Sequence, residues 1–221
     1  MRQVLIFALI AAVAFTGCNA KEPEPQPKAE NAPPPPPTAA ELYGKELKPV
    51  LDVLKRQVDG GAPLQPLEKD AAVDKLKSAV RTLNAQENGP EALTKLKGEI
   101  EDLVKKGRDG NLWMVVKGCC QAYVALQPGS DRYMKLEQRA DLMLKRPTVQ
   151  VKGFFNIDSQ IYAFLLVTDP GAPKPESYKV REGEEFHGVL RLVRIIGDQQ
   201  SVEILYIPVN DTWVVKGPRE D

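Results

Sequence analysis

The chain has 221 residues, with 30 Lys and Arg against 30 Asp and Glu and a single histidine. That balance lacks the basic excess of a nucleic-acid-binding protein, so no nucleic-acid partner is expected, and it gives no field to recruit an acidic lipid surface. Three cysteines, two of them adjacent, do not make a disulfide framework, so apolar cores must hold the chain together.

Residues 4–15 are continuously apolar after a basic start at Arg2. A run of that length falls short of the roughly 20 residues of a membrane span and matches the apolar region of a secretory signal. It ends in Thr16-Gly17-Cys18, which resembles the bacterial lipobox, with Phe15 where leucine is usual. Residues 1–17 are therefore expected to be a lipoprotein signal peptide, with Cys18 the lipidated residue and the membrane reached through that anchor. More than one acyl chain is the condition for stable anchoring. Residues 18–38 follow as a linker, with eight prolines between Pro23 and Pro37. Such a segment buries little apolar surface and stays extended, reaching up to ~60 Å at ~3.1 Å per residue.

Residues 39–146 read as a small helical domain. Leu42, Leu47, Leu51, Leu54 and Val58 recur at near-helical intervals, with Pro49 a kink or a restart and Gly60-Gly61 a stop. A second helix over residues 67–85 carries Ala72, Leu76, Ala79, Val80 and Leu83 on one face. A third begins at Pro90 and buries Leu93, Leu96, Ile100, Leu103 and Val104. Its end is expected at Lys105-Lys106-Gly107, cations followed by glycine. Helices over residues 112–126 and 131–145 complete the set, the last capped by Ser130 with Tyr133, Leu136, Ala140 and Met143 inward. The stretch AYVALQPGS, residues 122–130, resembles the end of a tetratricopeptide repeat, which makes the bundle a candidate repeat-like one.

From Arg146-Pro147 the period becomes two. Residues 147–218 read as five or six short strands, a small antiparallel sandwich or barrel, with residues 219–221 a tail. Val149, Val151, Phe155 and Ile157 alternate with Gln150 and Lys152. Residues 160–168 are apolar on both faces, which points to a central or doubly covered strand. The fold class is α+β.

The strand region carries an ordered set of motifs. Ala163-Phe164-Leu165-Leu166-Val167-Thr168-Asp169 is an apolar strand closing in a charged turn. Tyr178-Lys179-Val180-Arg181-Glu182-Gly183 approaches a glycine turn, and Phe186-His187-Gly188-Val189 leads to a strand ending in Ile195-Ile196-Gly197-Asp198. Val202-Glu203-Ile204-Leu205 and Asp211-Thr212-Trp213-Val214-Val215-Lys216 follow. On these residues the segment 164–218 resembles the folded domain of the type IV pilus assembly lipoprotein family, PilP, and more distantly the homology region of the type II secretion protein GspC. The helical residues 39–145 have no counterpart in that resemblance. It implies a non-enzymatic periplasmic scaffold whose β-domain docks on a secretin or other machine subunit, with inner-membrane assembly proteins as further partners. Edge-strand pairing or a flat apolar-polar face is the expected route, with the edge at residues 178–185 and Trp213 as the exposed candidates. Tyr178, Arg181, Glu182, Phe186 and Trp213 are the partner-contact candidates. Envelope location on the periplasmic face follows. The resemblance favours the inner membrane, whereas Asn19 after the cysteine favours the outer.

No cofactor or metal is expected. His187 is the only histidine, and zinc sites need several Cys or His ligands. Cys119-Cys120 read as small buried residues. The acidic runs at residues 99–102 and 182–185 read as solvated faces, and the phosphate-loop, serine-elbow and H-E-x-x-H patterns are absent. The alternative function is an envelope lipoprotein binding a glycan or peptide in a cleft between the two parts, lined by Trp113, Tyr123, Tyr162 and Phe164.

Overall fold

The computed structural model describes residues 34–197 and 200–218. The signal peptide, Cys18, almost all of the Pro-rich linker and the tail at 219–221 lie outside the described residues. Among the described residues no helix is long and apolar enough to cross a membrane.

Helices come first. Thr38 opens α1 (Ala39–Leu42) with a reciprocal cap, its hydroxyl accepting from the Glu41 N–H at 3.3 Å and its own N–H donating to the Glu41 carboxylate at 2.8 Å. A π turn, Tyr43–Leu47, then leads into α2 (Lys48–Lys55), and the Lys48 N–H bonds the Tyr43 carbonyl five residues back. Pro49 explains the wide turn. It has no N–H to give and its ring would press on the carbonyl four residues back, so the helix widens instead of breaking. α3 (Pro66–Leu83), α4 (Gly89–Asp109), α5 (Trp113–Leu126) and α6 (Asp131–Leu144) follow.

α5 is the central helix. Val115, Val116, Cys119, Cys120, Ala122 and Tyr123 are all buried, whereas its neighbours bury one stripe each. It packs against α3, α4 and α6. One expected helix end moves and one expected cap is not made. α4 runs past Lys105-Lys106-Gly107 to Asp109, with Gly110 at its C-cap. Gly107 is instead buried against α5, where a Cβ would stand 3.0 Å from Val116 Cγ2. Ser130 stands before α6 but makes no side-chain cap bond; its carbonyl accepts from the Tyr133 and Met134 N–H groups. Lys69 is the buried charge of this core. Its stem lies over Gly118 of α5, and its ammonium reaches the Asp70 carboxylate at 2.6 Å and Gln121 Oε1 at 3.0 Å.

The strands form two antiparallel sheets. β1 (Thr148–Ile157), β2 (Gln160–Thr168) and β3 (Glu176–Val180) make one in that order. β4 (Glu185–Phe186), β5 (Leu190–Ile196), β6 (Ser201–Tyr206) and β7 (Asp211–Lys216) make the other. The sheets share one core of Val149, Val151, Ala163, Leu165, Val167, Leu192, Val202 and Ile204, and no closed barrel forms. β2 is central in its sheet, as expected, yet only one of its faces is covered. The alternation expected along β1 also breaks. Val149 and Val151 are buried, but Phe155 and Ile157 are 54% and 40% exposed. The cause is a bulge. Val151 faces Leu165 and Gly153 faces Phe164, so Lys152 is left over and the later residues change face.

The helical and strand parts lie within one compact unit. Met143 at the end of α6 is buried in the strand core, and Trp113 touches both cores. The Tyr206 hydroxyl donates to the Leu142 carbonyl at 3.1 Å. Arg139 and Arg146 both pair with Asp211, at 3.4 and 3.5 Å.

Two stability predictions follow from the helical part. A Cβ at Gly118 would meet Lys69 Cγ at 2.8 Å and Leu54 Cδ2 at 3.1 Å, while one at the exposed Gly98 of α4 meets nothing within 4 Å. In urea unfolding, Gly118→Val is expected to cost ~1–3 kcal/mol and Gly98→Ala to add ~0.5–1 kcal/mol. Equal effects would show that Gly118 is not a close-packing position. The second concerns acid. The Arg56 guanidinium, at 2.6 Å, and then the Gln65 N–H hold the Glu68 carboxyl below the ordinary carboxylate range. A carboxyl depressed in the folded state contributes stability above its unfolded pKa and loses it as pH falls through its folded pKa. Glu68→Gln is therefore expected to flatten the fall of Tm below about pH 4.5, and an unchanged slope would remove Glu68 from the acid response.

Candidate protein-docking surface

The β2–β3 ladder stops at Ala163 against Val180, while the β1–β2 ladder continues to Ile157 against Gln160. The hairpin tip therefore runs past the end of β3, and residues 160–162 of β2 have no β3 partner beside them. Asp158 and Ser159 close the hairpin with φ of 50° and 63°, the left-handed pair that matches strand twist in a two-residue turn.

β3 leaves the sheet through Arg181, Glu182, Gly183 and Glu184. Gly183 supplies the left-handed turn at φ 80°. The turn is held from both sides. The Arg181 N–H donates to the Glu184 carboxylate at 3.0 Å, the Gly183 N–H to the Leu192 carbonyl at 2.7 Å, and the Ile195 N–H to the Glu182 carboxylate. Between this turn and the hairpin tip opens a cleft of about 830 Å³, whose lining includes Gln160, Ile161, Arg181, Glu182, Glu184 and Ile195. Arg181 Nη1 bridges it, donating to Gln160 Oε1 at 3.2 Å. The cleft lies at the end of the sandwich away from the helices. Ile195 pairs with Val202 near the start of β6, whereas Tyr206, at the other end of β6, bonds α6.

The five expected contact residues fall into three places. Arg181 and Glu182 come together at the cleft. Tyr178 and Phe186 meet inside the sandwich, with rings 5.7 Å apart, and Phe186 is buried; an exposed contact role for it is corrected here. The Tyr178 hydroxyl donates to the Glu176 carboxylate, and that bond, with burial second, pushes its phenol up to about 12. Trp213 is half-buried on the inward face of β7 beside Ile204, under the Arg146 guanidinium at 4.7 Å. It plugs the seam with the helices and lies away from the cleft.

Sequence reasoning missed Phe155, Ile157, Gln160 and Ile161, whereas Glu184 falls within the expected edge at residues 178–185. The readable signal was Gly153, since an isolated glycine inside a strand marks a bulge. The four rings expected to line a cleft between the two parts do not converge. Tyr123 stacks on Tyr133 in the helical core at 3.7 Å, Trp113 sits at the seam, and Tyr162 and Phe164 lie on the outer side of the β1–β2–β3 sheet. His187 sits at a turn with φ 53° and pairs with Asp169 at 3.2 Å. Among the described residues no group of three His, Cys, Asp or Glu is placed to hold a metal.

Comparison with family models, with curated proteins and with solved structures finds no match to this chain.

Cys119 and Cys120 are free and buried. Burial pushes both thiols up. The neighbouring cysteine adds to it at Cys119, and Glu137 adds to it at Cys120, which reaches about 12. A thiol so held forms little thiolate and reacts slowly. Iodoacetamide at pH 8 is expected to leave both unmodified in the native chain and to label both in urea, as read by peptide mass mapping. Native labelling of either would overturn the buried reading.

Proposed function

We propose that this chain is a lipid-anchored, periplasmic scaffold of a type IV pilus or type II secretion-like machine, its strand part docking on a secretin or another subunit. The signal-like N-terminus, the Pro-rich linker and the ordered strand motifs support the reading. One observation carries it. At the end of the sandwich away from the helices, the free edge of β2 at residues 160–162 borders an open cleft flanked by Arg181 and Glu182. A partner segment adding there would take main-chain bonds from the β2 edge and orientation from the two opposite charges. The helical part then sets spacing or binds a second assembly protein.

Crosslinking pull-down from native envelopes tests this. The full chain is expected to capture a secretin or pilus-assembly subunit. A chain ending at Lys145 is expected to lose it, and Arg181→Glu with Glu182→Arg to weaken it on the order of tenfold. Capture of no machine subunit would sink the reading, and undiminished capture by the charge-swapped chain would move the contact away from the cleft.

A further inference from the structure

A second exposed surface stands apart from the cleft reading. Ladder register puts Phe155 of β1, Tyr162 and Phe164 of β2 and Lys179 of β3 on the outward side of their sheet. Phe155 faces Tyr162 across the first ladder, and Phe164 faces Lys179 across the second. On its other side Phe164 faces Gly153, which has no side chain to cover it. The Phe155 and Phe164 rings meet edge to face at 6.1 Å, and Lys179 Nζ stands 4.3 Å over the Tyr162 ring. Three strands ~4.8 Å apart make the strip about 10 Å across. Phe155 is 54% exposed and Phe164 36%.

The polar surroundings are of one kind. The outward ladder neighbours Gln150, Gln160 and Ser177 offer amides and a hydroxyl. Among the described residues, Lys179 is the one charged side chain at an outward ladder position of these strands, and it makes no ion pair. An aromatic strip with amide neighbours and an unneutralised cation calls for a partner with apolar ring faces, a hydrogen-bonding rim and negative charge. A sugar chain carrying carboxylates has all three, since each pyranose presents a C–H face and a rim of hydroxyls. A lipid surface fits less well, because Asp158 at the hairpin tip would enter it beside Ile157. A second copy would bring two uncompensated lysines to one shared face.

We propose that the outward face of β1–β2–β3 binds a carboxylate-bearing glycan. Phe155 and Phe164 stack on its sugars, and Lys179, held over the Tyr162 ring, pairs with its acid groups. This surface is used independently of the partner cleft.

The test is co-sedimentation of the detergent-solubilised full chain with peptidoglycan sacculi, an N-acetylated glycan whose free carboxylates sit on its short peptide stems. Soluble polygalacturonate and neutral chitohexaose serve as competitors. The parent chain is expected to be retained and to be displaced better by polygalacturonate. Phe155→Ala with Phe164→Ala is expected to lose retention on the order of tenfold while staying folded, the lost edge-to-face pair lowering the melting temperature by a few degrees. Lys179→Gln, which removes the charge over the Tyr162 ring but keeps a long side chain there, is expected to bind more weakly and to lose most of the salt sensitivity. Several results would overturn the proposal. These are no retention, equal retention by the double variant, stronger displacement by chitohexaose, or ring-dependent binding to anionic vesicles in place of sacculi. A dimer dissolved by the double variant would also overturn it, by making the face a contact between copies. Capture of a machine subunit through Arg181 and Glu182 is a separate readout, which the double variant leaves intact.

Discussion

Lys152 has no partner in the β1–β2 ladder, and much of the exposed chemistry of the strand part depends on that one unpaired residue. Without the bulge, strict alternation from Val149 and Val151 would carry Phe155 and Ile157 into the core. With it, Phe154 packs against the core and Phe155 turns to water. Phe154 fills the place Phe155 would have taken, so the burial forgone is that of Ile157, at most roughly 1.5–3 kcal/mol. The bulge also strengthens the local twist and places glycine opposite Phe164, so that ring keeps an open side. A strand built only for stability has no use for this arrangement, whereas a recognition surface does.

The seam between the two cores fixes where those surfaces point. Met143 enters the strand core, Tyr206 reaches back to the Leu142 carbonyl, and Asp211 takes two arginines. These groups are partly shielded, so the ion pairs matter more as orientation than as energy. They occupy the ends of β6 and β7 that face α6, and they leave the opposite end of the sandwich open. The cleft at Arg181 is therefore held away from the helical part by the same contacts that join the two.

The sequence was most readable where one periodicity governs. The stripes of α3 and α4 are buried as the spacing predicts: Leu76, Leu83, Leu96 and Ile100 have essentially no exposure. The change of grammar at Arg146-Pro147 falls where α6 gives way to β1. Reading failed where a tertiary contact overrides a local signal. Gly107 looks like a helix stop in sequence but is a close-approach residue under Val116. Pro49, by contrast, reads as a kink or a restart, and α2 does begin at Lys48 with Pro49 in its first turn, after a π turn. Phe186 and Trp213 look like exposed contacts because aromatics near turns often are, yet one is core and the other is covered by an arginine. For the site, Arg181 and Glu182 were legible as an exposed charged turn. Their facing partners were not, because the free edge at 160–162 arises from the unequal lengths of two ladders, and strand alternation carries no record of a neighbour's length.

Gln160 joins the two exposed surfaces. Its side-chain oxygen accepts from Arg181 Nη1 on the cleft side and from the Tyr162 hydroxyl on the aromatic side, both at 3.2 Å. A partner that draws Arg181 to itself must first break the bond to Gln160, worth about 0.5–1.5 kcal/mol at most in so exposed a place. That release leaves Tyr162 as the remaining donor to Gln160, and it lies next to the Lys179 ammonium. The cleft and the strip are thus adjacent and share one acceptor, Gln160. The coupling between them is bounded by one shared acceptor, well below what would make either surface depend on the other.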